Sequence, residues 1–205
     1  WQKMKDEGKE FKPIFGVEAY FLPSIEEWRD DYDRIKEDKK LAKSLAKQGD
    51  TSGATVEDEE ASKKAIKSVI NRRRHLVLLA QNQTGLNNLF KLISASYREE
   101  NFYRYPRVDY KMLAEHSEGV IAASACLGGP YAGNYWEHRD EGPEAVREAM
   151  RETTRRFVEV FGDRWYGELQ WNNIVEQHEL NQHIIEVCKE FDVTLISTAD
   201  SHYPN

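Results

Sequence analysis

Five residues near the ends of predicted strands have side chains of the types that commonly bind transition-metal ions. Asp200 and His202 stand two positions apart directly after the apolar run VTLIS, and at that spacing beyond a buried strand they face the same way. Glu18 lies late in a predicted strand, Cys126 directly follows another, and His75 opens a third. A mixture of imidazole, carboxylate and thiolate suits Zn²⁺, Mn²⁺ or Fe²⁺ better than Ca²⁺ or a purely oxygen-bound Mg²⁺.

Three of these residues also have an ordinary structural interpretation. A lone Glu18 in a strand is often a partly exposed carboxylate, and His75 can be the polar start of its strand. Cys126 can be a small core residue, the commoner fate of a cytoplasmic cysteine. Asp200 and His202 have no comparable core role, so they carry the stronger signal.

The elements that would position these residues alternate between strands and helices. Apolar or alternating segments predict five strands, separated by amphipathic or capped helical segments: 12–21, 75–81, 119–125, 164–171 and 193–198. This alternation predicts βαβ units and a parallel sheet in an α/β fold, either an open doubly wound sheet or part of a β/α barrel. Residues 24–74 are densely charged and predict a solvated hairpin of two polar helices.

A parallel arrangement would gather four of the candidate ligands at one edge of the sheet. The carboxyl ends of parallel strands share that edge, so we expect Glu18, Cys126, Asp200 and His202 there. His75 opens its strand and fits less well. It joins the others only if the chain before it crosses the same edge, or if the strand begins earlier than the pattern indicates.

The composition and net charge of the chain exclude some classes of function. The net charge of −7 argues against a broad basic face for nucleic acid, but it leaves room for a small acidic metal site that acts on phosphates. The chain has no apolar run near the ~20 residues that a membrane-spanning helix needs. Its two cysteines form no disulfide framework, which suits a reducing cytoplasm, and Cys188 is expected in the core.

Four stretches resemble a known family: KPIFGVEAYF, HLVLLAQNQTGLNNLFKLIS, FYRYPRVDYKMLAEHSEGVIAASACLGG and ELQWNNIVEQHELNQHIIEVCKEFDVTLISTADSHY. They are similar to the PHP (polymerase and histidinol phosphatase) domain, in the version at the N-terminus of the alpha subunits of bacterial-type replicative C-family DNA polymerases. The resemblance implies one PHP domain over residues 1–205. The charged segment at about 24–74 looks like an insertion.

The resemblance implies a fold and a ligand set. The fold is a distorted, TIM-barrel-like barrel of seven β/α units with a polynuclear metal centre at the strand carboxyl ends. Glu18 matches the Glu of a G-x-E motif, His75 the His of H-L-x-L-L and Cys126 the Cys of S-x-C-L, while Asp200 and His202 match the final D-x-H pair. The family's opening H-x-H motif is absent, as are the Asp and His that follow it. The resemblance therefore implies a fragment without its first β/α unit or units.

The implied function is part of a DNA-directed DNA polymerase, a cytoplasmic nucleotidyltransferase. Its partners would be DNA, a proofreading exonuclease subunit and other replisome proteins, and Mg²⁺ would serve the parent polymerase. This segment would supply 3′–5′ exonuclease or phosphoesterase chemistry, or a metal-stabilised scaffold, and we expect it to be inactive alone. The alternative is a stand-alone phosphatase of the histidinol phosphatase type. Arg107 is a candidate phosphate contact or an ordinary surface residue.

Overall fold

The computed structural model describes residues 2–10, 12–47 and 56–199, which form helices and strands in alternation. The strands are β1 (Gly16–Phe21), β2 (Arg74–Ala80), β3 (Phe102–Tyr103), β4 (Tyr105–Pro106), β5 (Val120–Ala123), β6 (Trp165–Gln170) and β7 (Thr194–Thr198). The helices are α1 (Gln2–Asp6), α2 (Ile25–Lys47), α3 (Val56–Asn71), α4 (Gln83–Ser96), α5 (Tyr110–Glu115), α6 (Pro130–His138), α7 (Pro143–Phe161) and α8 (Val175–Glu190). All five predicted strands are present.

Five strands form one sheet in the order β1-β2-β5-β6-β7, while β3 and β4 pair separately. β5, β6 and β7 are parallel to one another, but β2 runs antiparallel to both β1 and β5. The prediction of a parallel sheet is therefore wrong for β2. The physical reason lies in the connection: Phe21 at the end of β1 pairs with Arg74 at the start of β2. The helical segment thus returns the chain to the edge that it left, whereas a parallel pair needs a crossover to the opposite edge.

The main core lies on one face of this sheet, beneath α4, α7 and α8. Leu76 and Leu78 of β2 are fully buried there. Phe157 of α7 stacks on Trp165 of β6 with ring centroids 4.1 Å apart and planes 4° from parallel. Cys188 is also fully buried, as predicted, and burial raises the pKa of its thiol to about 11. The rigid packing of this face holds the strands that carry the candidate ligands.

A second, smaller core anchors the base of the α2–α3 hairpin. Trp28 is only 2% exposed and packs with Leu22, Ile25 and Val69. Its indole Nε1 donates a hydrogen bond of 2.7 Å to the carbonyl of Val69. The charged sequence predicted a solvated hairpin, but the base of the hairpin is packed against the protein.

A close backbone approach between α4 and the start of β5 gives a stability prediction. A Cβ atom added to Gly85 would lie 1.8 Å from the carbonyl oxygen of Gly119, which is backbone and cannot rotate away. We expect Gly85→Ala to lower the free energy of unfolding by about 2–3 kcal/mol, because overpacking here has to displace main chain. Urea denaturation followed by tryptophan fluorescence measures this. Ser94→Ala on the exposed side of α4 is the matched control, and a Gly85→Ala loss no larger than the control's would contradict the clash.

Candidate metal centre

The antiparallel direction of β2 places His75 at the same edge of the sheet as Glu18 and Cys126. Tyr20 near the end of β1 pairs with His75 near the start of β2, and Glu18 pairs with Val77. Directly paired residues share a face of the sheet, as do residues two apart along a strand. Glu18 and His75 are therefore diagonal neighbours on one face, and the beginning of β2 lies beside the end of β1. The difficulty that the sequence posed for His75 is a consequence of strand direction.

Three of the five candidate ligands converge at this edge. The carboxylate Oε1 of Glu18 lies 2.9 Å from Nδ1 of His75, and Sγ of Cys126 lies 3.5 Å from the same nitrogen. The side chains of Glu18 and His75 are 41% and 34% exposed, so solvent and ligands can reach them.

The chemistry of these three donors suits a divalent transition metal, and the spacing of two of them, His75 and Cys126, is close to that in a zinc site. Around a tetrahedral zinc ion, an imidazole nitrogen and a thiolate sulfur lie about 3.6 Å apart, given the usual bond lengths. The observed 3.5 Å between Sγ of Cys126 and Nδ1 of His75 is close to that separation. Oε1 of Glu18 lies nearer to the same nitrogen, at 2.9 Å.

The donor atoms of the three side chains are not arranged around one point where a metal ion could bind. Among the described residues no group of three or more His, Cys, Asp or Glu side chains has metal-holding geometry. Glu18 and Cys126 both approach one nitrogen of His75 instead. Asp200 and His202, the other two predicted ligands, lie outside the described residues. Ligation by all five residues therefore stays a prediction.

A tight turn after β5 positions Cys126. Ala125 adopts a left-handed backbone with φ of 58°, and the N–H of Gly129 donates a 2.8 Å hydrogen bond to the carbonyl of Cys126. A Cβ atom on Gly129 would lie 1.9 Å from the carbonyl oxygen of Ser124, so this position needs glycine. The N–H of Gly128 donates to Sγ of Cys126 at 3.4 Å and so orients the sulfur. The turn presents sulfur to His75.

Sequence reasoning missed a buried carboxylate on the same face of the sheet. Val77 pairs with Ala123, which pairs with Tyr166, so the face of Glu18 continues across β5 to β6. Glu168, two residues beyond Tyr166, faces the same way. The sequence did contain a sign of it, because burying a carboxylate in a mostly apolar strand costs free energy unless the carboxylate is hydrogen-bonded or binds a cation.

Glu168 holds the end of β7 in place. It is 5% exposed, and its Oε1 accepts hydrogen bonds from Thr198 Oγ1 at 2.5 Å and from Gln170 Nε2 at 3.3 Å. Its own N–H donates to Ser124 Oγ at 2.9 Å. Thr198 stands two residues before Asp200 in the chain. Glu168 therefore anchors the carboxyl end of β7 to β6.

Comparison with known proteins assigns the family. The model of the PHP domain matches residues 1–172 of this chain. The chain belongs to the PHP domain family. The alternation of strands and helices and the five-stranded sheet are consistent with that assignment.

The relatives of this PHP domain include alpha subunits of bacterial DNA polymerase III. The subunit of Aquifex aeolicus (strain VF5) is 36% identical over 205 residues, which is 100% of this chain and 14% of the relative. That of Borreliella burgdorferi is 34% identical over 95% of this chain and 13% of the relative, and that of Helicobacter pylori (strain J99) is 33% identical over 99% and 14%. The chain thus spans about one seventh of the length of the relatives it matches.

The expectation that Arg107 contacts a phosphate is wrong. In this PHP domain the Arg107 side chain is fully buried, which also excludes the alternative of a surface residue. Its Nη1 donates to the carbonyls of Tyr103 and Tyr105, both at 3.0 Å, and Nη2 donates to the carbonyl of Ile70 at 2.6 Å. The guanidinium lies 4.0 Å from the ring centre of Trp28. Burial, reinforced by the charge of Arg73, lowers the pKa of Arg107 to about 10.

A large surface cavity among the described residues of this PHP domain does not coincide with the candidate metal centre. It measures about 1080 Å³, lies among α2, α4 and α5, and contains none of Glu18, His75 and Cys126. Metal centres at sheet edges are defined by convergent donors rather than by an apolar hollow, so we place the site by the side-chain contacts. No helix among the described residues is long and apolar enough to cross a membrane.

Proposed function

We propose that this chain is the PHP domain of a replicative DNA polymerase alpha subunit and that its sheet edge holds divalent metal ions for phosphoester hydrolysis. In a polymerase the corresponding reaction is the removal of nucleotides from a 3′ end. The observation that carries the proposal is the convergence of Glu18, His75 and Cys126 from three separate parts of the chain. Together with Asp200 and His202 they would hold Zn²⁺, Mn²⁺ or Fe²⁺.

The residues of this chain prepare the site in three ways. Glu18 orients the imidazole of His75 from 2.9 Å, and the N–H of Gly128 orients the sulfur of Cys126. Glu168 holds the strand end that leads to Asp200, through Thr198. Bound divalent metal ions would supply the Lewis acidity that polarises a phosphoryl group and acidifies water. The protein's part is to fix donors from different strands at one edge, which outer hydrogen bonds stabilise.

The family assignment supports a wider context for this proposal. The five-stranded sheet would be part of a distorted β/α barrel of seven strands, with residues 24–74 as a charged helical insertion. The parent would be a cytoplasmic DNA-directed DNA polymerase that uses Mg²⁺ for synthesis. It would bind DNA, a proofreading exonuclease subunit and other replisome proteins. The relatives described above are polymerase subunits, so no observation favours the stand-alone phosphatase.

Metal removal tests the proposed chemistry. The full-length gene product, stripped of transition metals by a chelator and returned to Mg²⁺ buffer, should release nucleotides from a 5′-labelled single-stranded oligonucleotide at least 100-fold more slowly, because the acidified water is lost. Adding back Mn²⁺ or Zn²⁺ should restore the rate. DNA synthesis in Mg²⁺ is the control and should persist. If the metal-loaded protein releases no nucleotides, the proposed hydrolysis is wrong and the metals have a purely structural role.

A further inference from the structure

Three consecutive arginines enter β2, and only the middle one lacks an acidic partner among the described residues. Arg72 Nη1 lies 2.8 Å from a carboxylate oxygen of Asp31, and Arg74 is ion-paired with Glu137. The hydrogen bond that Arg73 makes is from Nη1 to the carbonyl of Asn71, at 3.0 Å. Its Nε is buried without a partner in the described part of the chain.

Arg73 lies on the face of the sheet that carries the candidate metal centre. Its guanidinium is 4.8 Å from the ring centre of Tyr20 and 4.1 Å from that of Tyr105. The ring of Tyr20 lies 5.7 Å from that of His75. The ring of Tyr20 is thus a neighbour of both Arg73 and His75, and stacking on two tyrosine rings restrains the long side chain of Arg73 before any ligand arrives.

The positive charge at this position is not balanced within the described residues. Arg107 lies close enough to Arg73 that the charge of Arg73 contributes to lowering the pKa of Arg107. Arg107 likewise has no carboxylate partner among the described residues. Its donors are directed to main-chain carbonyls, and its Nε is likewise buried and unpartnered. Two neighbouring guanidinium groups without an acid repel one another and favour the arrival of an anion.

We propose that Arg73 binds a phosphate group of the phosphodiester substrate beside the metal centre. A guanidinium offers five donors in a fixed fork that matches phosphate, and Arg73 uses one of them within the described protein. The class of ligand is a phosphodiester of single-stranded nucleic acid, and the substrate role rests on the proposed function. Anion binding itself does not require hydrolysis, which makes the two separable by experiment.

The first test measures binding of inorganic phosphate to the full-length gene product by equilibrium dialysis, with transition metals removed. Arg73→Gln should lose one phosphate site, or weaken it at least tenfold, whereas Arg72→Gln should match the wild type because its guanidinium already pairs with Asp31. Arg73→Lys keeps the charge without the fork and should bind phosphate with intermediate affinity. Near-ultraviolet circular dichroism checks folding, and if Arg73→Gln does not fold, Arg73→Lys against Arg72→Lys is the deciding pair. Unchanged phosphate binding in the folded variant overturns the proposal.

The second test separates this inference from the proposed function. With metals present, Arg73→Gln should raise KM for single-stranded DNA hydrolysis about tenfold while metal content stays at the wild-type value, as expected for a lost binding contact. If the wild type hydrolyses nothing but Arg73→Gln still loses phosphate, the proposed chemistry fails and the anion site stands. If hydrolysis proceeds with unchanged KM and unchanged phosphate binding, Arg73 only braces the tyrosines and the inference is overturned.

Discussion

Replacing His75 by alanine should abolish the 3′-end hydrolysis that we propose, with a rate loss of at least 100-fold, and should lower the bound transition metal. His75 is the residue that both Glu18 and Cys126 contact, so its removal leaves a carboxylate and a thiol with nothing between them. Loss of one ligand from a mixed imidazole, carboxylate and thiolate site weakens metal binding strongly, because few donors remain to replace it. Plasma mass spectrometry of the full-length gene product and an oligonucleotide degradation assay measure the two effects.

His178→Ala is the matched control for this variant. His178 is exposed on α8 and contacts the ring of Trp171 rather than Glu18, His75 or Cys126. It should keep the wild-type metal content and hydrolysis rate. If His75→Ala retained its metal and its rate, the contact that we describe would be a simple hydrogen-bonded cluster on the sheet.

The second large effect concerns Arg107, where Arg107→Leu should lower the free energy of unfolding by about 3 kcal/mol. Two effects oppose each other. Replacing a buried charge by an apolar side chain removes a desolvation cost. It also removes the hydrogen bonds that Arg107 donates to three carbonyls, those of Ile70, Tyr103 and Tyr105. Charge-assisted hydrogen bonds are worth about 1.5–3 kcal/mol each, so three of them outweigh the desolvation gain.

Urea denaturation compares Arg107→Leu with Arg104→Ala. Arg104 is exposed in the same loop, and removing its side chain should change stability by less than about 0.5 kcal/mol. A stability for Arg107→Leu equal to that of the wild type would mean that desolvation of the guanidinium cancels its hydrogen bonds. The arginine would then contribute to the specificity of the fold rather than to its stability.

The local sequence pattern was sufficient to predict the five strands and to identify the residues that are candidate metal ligands. An apolar run such as HLVLLA is a strand for reasons within itself, and all five predicted strands formed. The motifs around Glu18, His75 and Cys126 led to the PHP family, which the comparison confirmed. These features depend on neighbours within a few positions, which is why one sequence was enough to find them.

Direction, burial and charge balance were decided by the tertiary structure. The pattern of β2 is the same whether it runs parallel or antiparallel, so only its pairing with β1 showed why His75 lies beside Glu18. The sequence indicated a phosphate contact or a surface position for Arg107, yet the side chain is buried against Trp28 and Ile70, which are distant in the chain. Glu168 and Arg73 acquired meaning only when the register placed them on one face of the sheet. The sequence determined which groups this PHP domain has, and the tertiary structure determined which of them meet, because contacts between distant segments leave no periodic trace in either segment alone.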